Sequence, residues 1–208
     1  MRALPILHAC LLASVVAAGC AGTATGPFPG APVHERGEPS PEAIPWSAER
    51  RLTWADFRGR PDLASGVAAV TTYAITWESD CSPDGFRFRV TSVFIPDQSW
   101  VKPDVPALDE ESRRTLAHEQ THFDLSEIQA RKLRRELGRL VMPCRLTEEE
   151  LAAAVAPLFQ EEVDLQRRYD RETNHGLDRA QQARWEDDVR RELEALNRYA
   201  DSGAPGRR

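Results

Sequence analysis

The sequence has no excess of positive charge and little cysteine or histidine. Lys and Arg number 27 against 33 Asp and Glu, a formal charge of −6 with a pI near 5.5. Binding to a polyanion needs the opposite balance, so nucleic acid is excluded as a partner. The basic residues alternate with acids, as in RRELEALNR, and read as solvated helix faces. There is no internal repeat. The one long apolar run, Ala3 to about Ala18, falls short of the roughly 20 residues that span a bilayer, which argues against a permanent transmembrane helix.

That run begins after Arg2 and ends in small residues, the pattern of a secretory signal. Its end, Ala17-Ala18-Gly19-Cys20, resembles the lipobox of bacterial lipoproteins, in which cleavage precedes the cysteine and a lipid is attached to it. The expectation is an exported protein held in a bacterial membrane by lipidated Cys20. The alternative is an ordinary signal peptide with release into the periplasm or medium. The segment 20–45, rich in Pro, Gly and Ala, reads as a flexible tether. A domain over 46–200 and a disordered tail over 201–208 complete the chain.

Of four cysteines, Cys10 lies in the signal and Cys20 at its end. The remaining pair, Cys81 and Cys144, suits a disulfide in an oxidising compartment. It closes a loop of about 64 residues, worth roughly 4 kcal/mol on the chain-entropy account.

The first half of the domain is strand-like. VAAVTTYAITW (67–77) is rich in β-branched and aromatic residues, and FRFRVTSVFI (86–95) opens with strict alternation. Ser82-Pro83-Asp84-Gly85 is turn chemistry, so the two form a hairpin with Cys81 at its tip. The second half is helical. Asp109 with Glu110 and Glu111 starts a helix running to about Leu140. Thr147 and Glu150 form a capping box for a second, which Gly176 ends in the left-handed conformation. Asp178 with Gln181 caps a third, reaching about Tyr199. A small antiparallel sheet followed by three helices is an α+β fold.

Within the first helix lies LAHEQTHFD (116–124). Positions four apart sit about 40° apart around a helix and about 6 Å along it, so His118 and His122 can converge on one zinc ion. Glu119 then lies beside the open coordination position as a general base, a zincin-like arrangement. Zinc needs at least one further protein ligand. Of five histidines, His8 is in the signal and His34 in the tether, which leaves His175 as the third in the domain. The rival reading makes His175 a helix-end imidazole facing exposed carbonyls. Asp170, Glu172 or Glu162 could instead supply a carboxylate. Asp124 lies about 200° around the helix from His122 and fits a partner of a ligand or a salt bridge. Tyr169 and Thr173 share a face; either could reach a reaction oxyanion, though Tyr169 also continues the core stripe.

LTWADFRGRP (52–61), HEQTHFD (118–124) and YDRETNHG (169–176) together resemble a bacterial domain-of-unknown-function family labelled as predicted secreted zinc-dependent proteases. The resemblance covers most of 46–199, including Cys81, Cys144 and the third helix with Gln181 and Trp185. It implies export, zinc and a peptide or protein substrate. The resulting expectation is a zinc metallopeptidase with Glu119 as base and His118, His122 and His175 as ligands. A strand ending Ser92-Val93-Phe94-Ile95 is expected to run beside the site and pair with substrate. The alternative function is a non-catalytic zinc-binding lipoprotein of the envelope, a binding or assembly module.

Overall fold

A computed structural model of the chain describes residues 33–36, 41–106, 109–200 and 206–207. The signal run and Cys20 lie outside the described residues. Among the described residues, no helix is long and apolar enough to cross a membrane.

Strand β1 (Val33–Arg36), β2 (Ile44–Pro45) and β3 (Ala69–Val70) precede the hairpin of β4 (Tyr73–Ser82) and β5 (Gly85–Phe94). The hairpin register runs from Tyr73↔Phe94 to Ser82↔Gly85. Pro83 and Asp84 make the turn, and Gly85 follows at φ 110°, a conformation that favours glycine. In β5, Phe86, Phe88 and Val90 are buried while Arg89 is exposed, as the alternation predicts. From Ser92 to Phe94 every residue is buried, because both faces are covered there.

Short strands edge this hairpin. β1 pairs parallel with β4, and β2 pairs antiparallel with β5 through Ile44↔Phe94. β7 (Gly206–Arg207) also pairs with β5, opposite Phe88 and Arg87. These strands fall in the segments read as a tether and a disordered tail. Backbone pairing at a sheet edge needs no apolar period, so the sequence pattern did not mark them. At Ser92 to Phe94, the stretch expected to meet substrate, β2 and the Trp46 amide occupy the outer edge of β5. A second small sheet joins β3 to β6 (Trp100–Val101).

Helix α1 (Glu110–Leu137) is capped by Asp109, whose carboxylate accepts from the Ser112 amide. It ends at Leu137, capped by Gly138, three residues before the expected boundary. On one side it packs on the hairpin through Ala130, Leu133 and Leu137 against Ile75, Phe88 and Val90. On the other lie α2 (Glu148–Thr173) and α3 (Arg179–Ala195), where Leu125 and Ile128 meet Tyr169, Trp185 and Val189. The Thr147–Glu150 capping box opens α2, and Asp178 caps α3 through the Ala180 and Gln181 amides. Cys81 at the hairpin tip and Cys144 in the α1–α2 connection have their sulfurs at disulfide distance, with Cα atoms 5.7 Å apart.

Because α1 is enclosed on several sides, its polar residues have to find partners inside the protein. Glu127 holds Arg131 at 2.9 Å and Arg134 at 3.0 Å, and Arg134 also donates to the Val90 and Tyr199 carbonyls. Asp124 accepts from Trp46, Gln120 and Arg51, each at 2.9 Å. That salt bridge fastens the start of the domain to the helix.

Candidate metal centre

One turn of α1 brings the Nε2 atoms of His118 and His122 to 3.2 Å from each other. Oδ1 of Asp170, from the last turn of α2, lies 3.3 Å from the first and 2.9 Å from the second. Zinc bonds of about 2.0–2.1 Å in a tetrahedron separate neighbouring ligand atoms by about 3.3 Å. The three atoms therefore form a triangle of the size a tetrahedral ion requires. Among the described residues, this is the group of His, Cys, Asp and Glu that could hold a metal.

The hydrogen bonds behind the imidazoles point the same way. Nδ1 of His118 is 3.1 Å from Oε1 of Gln182, and Nδ1 of His122 is 2.6 Å from Oε1 of Gln166. The amide orientations are fixed, because Gln182 Nε2 donates to Glu186 and Gln166 Nε2 donates to the His122 carbonyl. An oxygen facing each Nδ1 requires a proton there, which leaves the Nε2 lone pairs free to bind a cation. On that account Oδ1 of Asp170 faces two acceptors, and it is a buried oxygen without a hydrogen bond.

With no cation, a proton takes its place. Burial works against charge on His122, but the hydrogen bond and charge of Asp170, then the charge of Glu119, raise its pKa to about 9. For Asp170, burial is outweighed once protonated imidazole nitrogens can donate to it, and His118 and His122 then hold its carboxyl well below the usual carboxylate range. The proton is thus held among the three atoms that could hold a metal ion.

Packing holds His118 firmly. The Tyr169 ring stacks on it at 4.7 Å and 21°, and its hydroxyl donates to Gln182 Oε1 at 2.8 Å. A Cβ on Gly176 would come within 3.1 Å of the His118 Cβ and Cγ. Glycine is needed there twice over, since φ is +80°. Tyr169 is fully buried and belongs to the core, as its stripe predicts, while also orienting a ligand. Thr173 is equally buried; it donates to the Tyr169 carbonyl and accepts from the Gly176 amide. Neither faces an open position.

Glu119 is only 4% exposed, and its Oε2 is buried without a hydrogen-bond partner. Its main-chain oxygen accepts from Thr71, just past β3. A buried carboxylate oxygen left unpaired is costly, so it marks a position built for a further group.

His175 does not join the triangle. Its Nδ1 lies 3.7 Å from Asp170 Oδ1, and its side chain is 55% exposed. The reason is the backbone. Helix α2 ends in three successive positive-φ residues, Asn174, His175 and Gly176, rather than in Gly176 alone. The reversal turns His175 outward, whereas Asp170, one turn earlier, still lies on the inner helix face. Gln166 and Gln182 were not among the expected site residues. Glu162, Gln166 and Asp170 recur every four residues on α2, a polar row inside an apolar stripe that could have been noticed. Nothing in the local sequence marks Gln182.

Residues 48–176 match the family model described as bacterial protein of unknown function, DUF922. The chain belongs to this family. Neither a curated protein nor a solved structure matches it. The DUF922 segment ends at Gly176, so it contains His118, Glu119, His122, Asp170 and His175. Helix α3, which carries Gln182, lies beyond it.

Proposed function

We propose that this DUF922 protein is an exported zinc metallopeptidase, anchored to a bacterial membrane through lipidated Cys20, acting on peptide or protein substrates. His118, His122 and Asp170 hold the ion. His175 leaves the ligand set assigned from the sequence, because its nitrogens do not come close enough to all three of the others. A zinc ion bound there supplies Lewis acidity toward a carbonyl and makes water acidic enough to attack at neutral pH. Glu119 accepts the proton of the attacking water and returns it to the leaving amine. Gln182 and Gln166 keep both imidazoles in the tautomer that presents Nε2.

The observation that carries this reading is the unpartnered Oε2 of Glu119 beside a triangle of ligand size. A site that only stored metal would have no use for it. The second reading, zinc binding without turnover, is favoured by one fact. His118 and Glu119 are buried, and Asp170 is the most accessible of the three ligand side chains at 33%.

Metal analysis and peptide hydrolysis on the full chain separate the two. One zinc per chain is expected, lost in His118→Ala and Asp170→Ala and retained in Glu119→Gln. Hydrolysis that disappears in Glu119→Gln while zinc stays supports the peptidase. Zinc without hydrolysis of any peptide in a diverse pool supports the second reading, and no zinc in the wild-type chain sinks both.

A further inference from the structure

We propose that His175 is a catalytic residue that receives the substrate, donating a hydrogen bond to the carbonyl oxygen brought to the open side of the metal centre. The proposal rests on the metallopeptidase reading and adds to it a group outside the ligand set.

Its position supports this first. His175 Nδ1 is 3.7 Å from Asp170 Oδ1, the same oxygen that faces both Nε2 atoms. That separation is beyond hydrogen-bonding distance, so the carboxylate does not hold the imidazole. The His175 side chain is the exposed one here, whereas His118 and His122 are largely covered and the Asp170 Oδ1 atom is buried. On this proposal, substrate approaches from the side of the exposed His175 imidazole.

The backbone gives a second, independent reason. His175 has φ +54° between Asn174 at +50° and Gly176 at +80°. Residues with a Cβ are strained in this region, and glycine would be the less costly choice at 175. The turn closes through main-chain bonds from the His175 amide to the Asp170 carbonyl and from the Asp178 amide to the Thr173 carbonyl. None of these needs an imidazole. Among the described residues the side chain makes no hydrogen bond and packs in no core cluster, so folding does not explain its presence in a strained position.

The third reason is rigidity. Gly176 rests directly on His118, which fixes the main chain of the preceding residue, His175, relative to a proposed metal ligand. A donor mounted there starts from a main chain fixed beside the centre, with its imidazole on the outer, exposed side.

The test uses full chains loaded with Co²⁺ and titrated with acetohydroxamate, which presents a carbonyl-type oxygen to the ion, followed by visible absorption. His175→Ala and His175→Gly are compared with wild type; the glycine variant removes the strain and should fold at least as well. Both are expected to keep one metal per chain, with affinity within about threefold in chelator competition, and to lose about tenfold or more in acetohydroxamate affinity. Unchanged acetohydroxamate affinity overturns the proposal and returns His175 to a solvated helix end. A hundredfold loss of metal affinity overturns it as well, by making His175 a ligand. If the affinity loss appears but the wild-type chain cleaves no peptide, the His175 contact to the bound carbonyl oxygen stands as a ligand-binding one and the peptidase reading falls.

Discussion

His118 and His122 point their Nε2 atoms at each other across 3.2 Å, and each turns its Nδ1 to a glutamine oxygen. Two facing lone pairs repel unless a cation lies between them. The carboxylate of Asp170 completes the cage. The fold therefore carries a charge requirement at this point, met by a proton when no metal is present.

That requirement predicts a pH dependence. Asp170 and Glu119 raise the His122 pKa from 6.5 to about 9 against the effect of burial. A raised folded-state value means that protonated His122 stabilises the metal-free fold fully below pH 6.5. The contribution fades as pH rises through about 9. Zinc has to displace the same proton. Zinc affinity, measured by chelator competition, should rise about tenfold per pH unit between roughly 7 and 9 and then level off. Below pH 9, binding should release close to one proton into a weakly buffered solution. Affinity that is flat across this range would show that His122 carries no proton in the metal-free state.

Gln182 provides a second prediction. Its Oε1 accepts from Tyr169 and faces Nδ1 of His118, so one amide sets both the tautomer and the ring stacked upon it. Gln182→Leu fills similar space without an acceptor. Loss of such an outer partner typically lowers metal affinity by about 10- to 100-fold. The expected variant folds, with about 1–3 kcal/mol of stability lost for the His118 Nδ1 proton left without its acceptor, while the Tyr169 hydroxyl keeps the His118 carbonyl; it binds zinc correspondingly more weakly. Gln182→Glu should restore part of the affinity, because a carboxylate oxygen can accept the same two bonds while its other oxygen meets the Glu186 carboxylate in place of a donor. Equal zinc affinity in wild type and Gln182→Leu would contradict the tautomer argument.

Much of this arrangement was legible in the sequence, because it rests on local rules. The Asp109, Thr147 and Asp178 caps, the Pro83-Asp84 turn and the alternation of Phe86, Phe88 and Val90 each depend on neighbours within a few residues. The pairing of His118 with His122 is local too, being a property of one helical turn. The third ligand position is not. Asp170, Glu172 and Glu162 are equivalent as residue types on one charged helix, and only the packing of α2 on α1 selects Asp170. His175 attracted the assignment because histidines are scarce in the domain. The left-handed turn that moves it outward begins at Asn174, a residue that resembles any other helix-end asparagine. Gln182 reaches the site from a third helix, and β1, β2 and β7 are too short to show a period.

Gly176 ties the backbone turn to the proposed metal centre, and its replacement should damage both. In Gly176→Ala the new methyl would lie 3.1 Å from the His118 Cβ and Cγ and 3.3 Å from Nδ1. These atoms cannot retreat, because Tyr169 stacks on the same ring and Gln182 fixes Nδ1. The left-handed φ adds about 1–2 kcal/mol for any residue with a Cβ. With the packing conflict, a total loss of about 2–4 kcal/mol is expected, readable by denaturant unfolding. His118 can relieve the contact only by rotating, which moves Nε2 off the triangle, so zinc affinity should fall as well. Asn174→Gly relaxes the same turn without approaching His118. It should therefore keep its zinc and gain rather than lose stability, by a few tenths to about 1 kcal/mol. Were Gly176→Ala to bind zinc as tightly as wild type, His118 could not be held between Gly176 and Tyr169 in the way its contacts require.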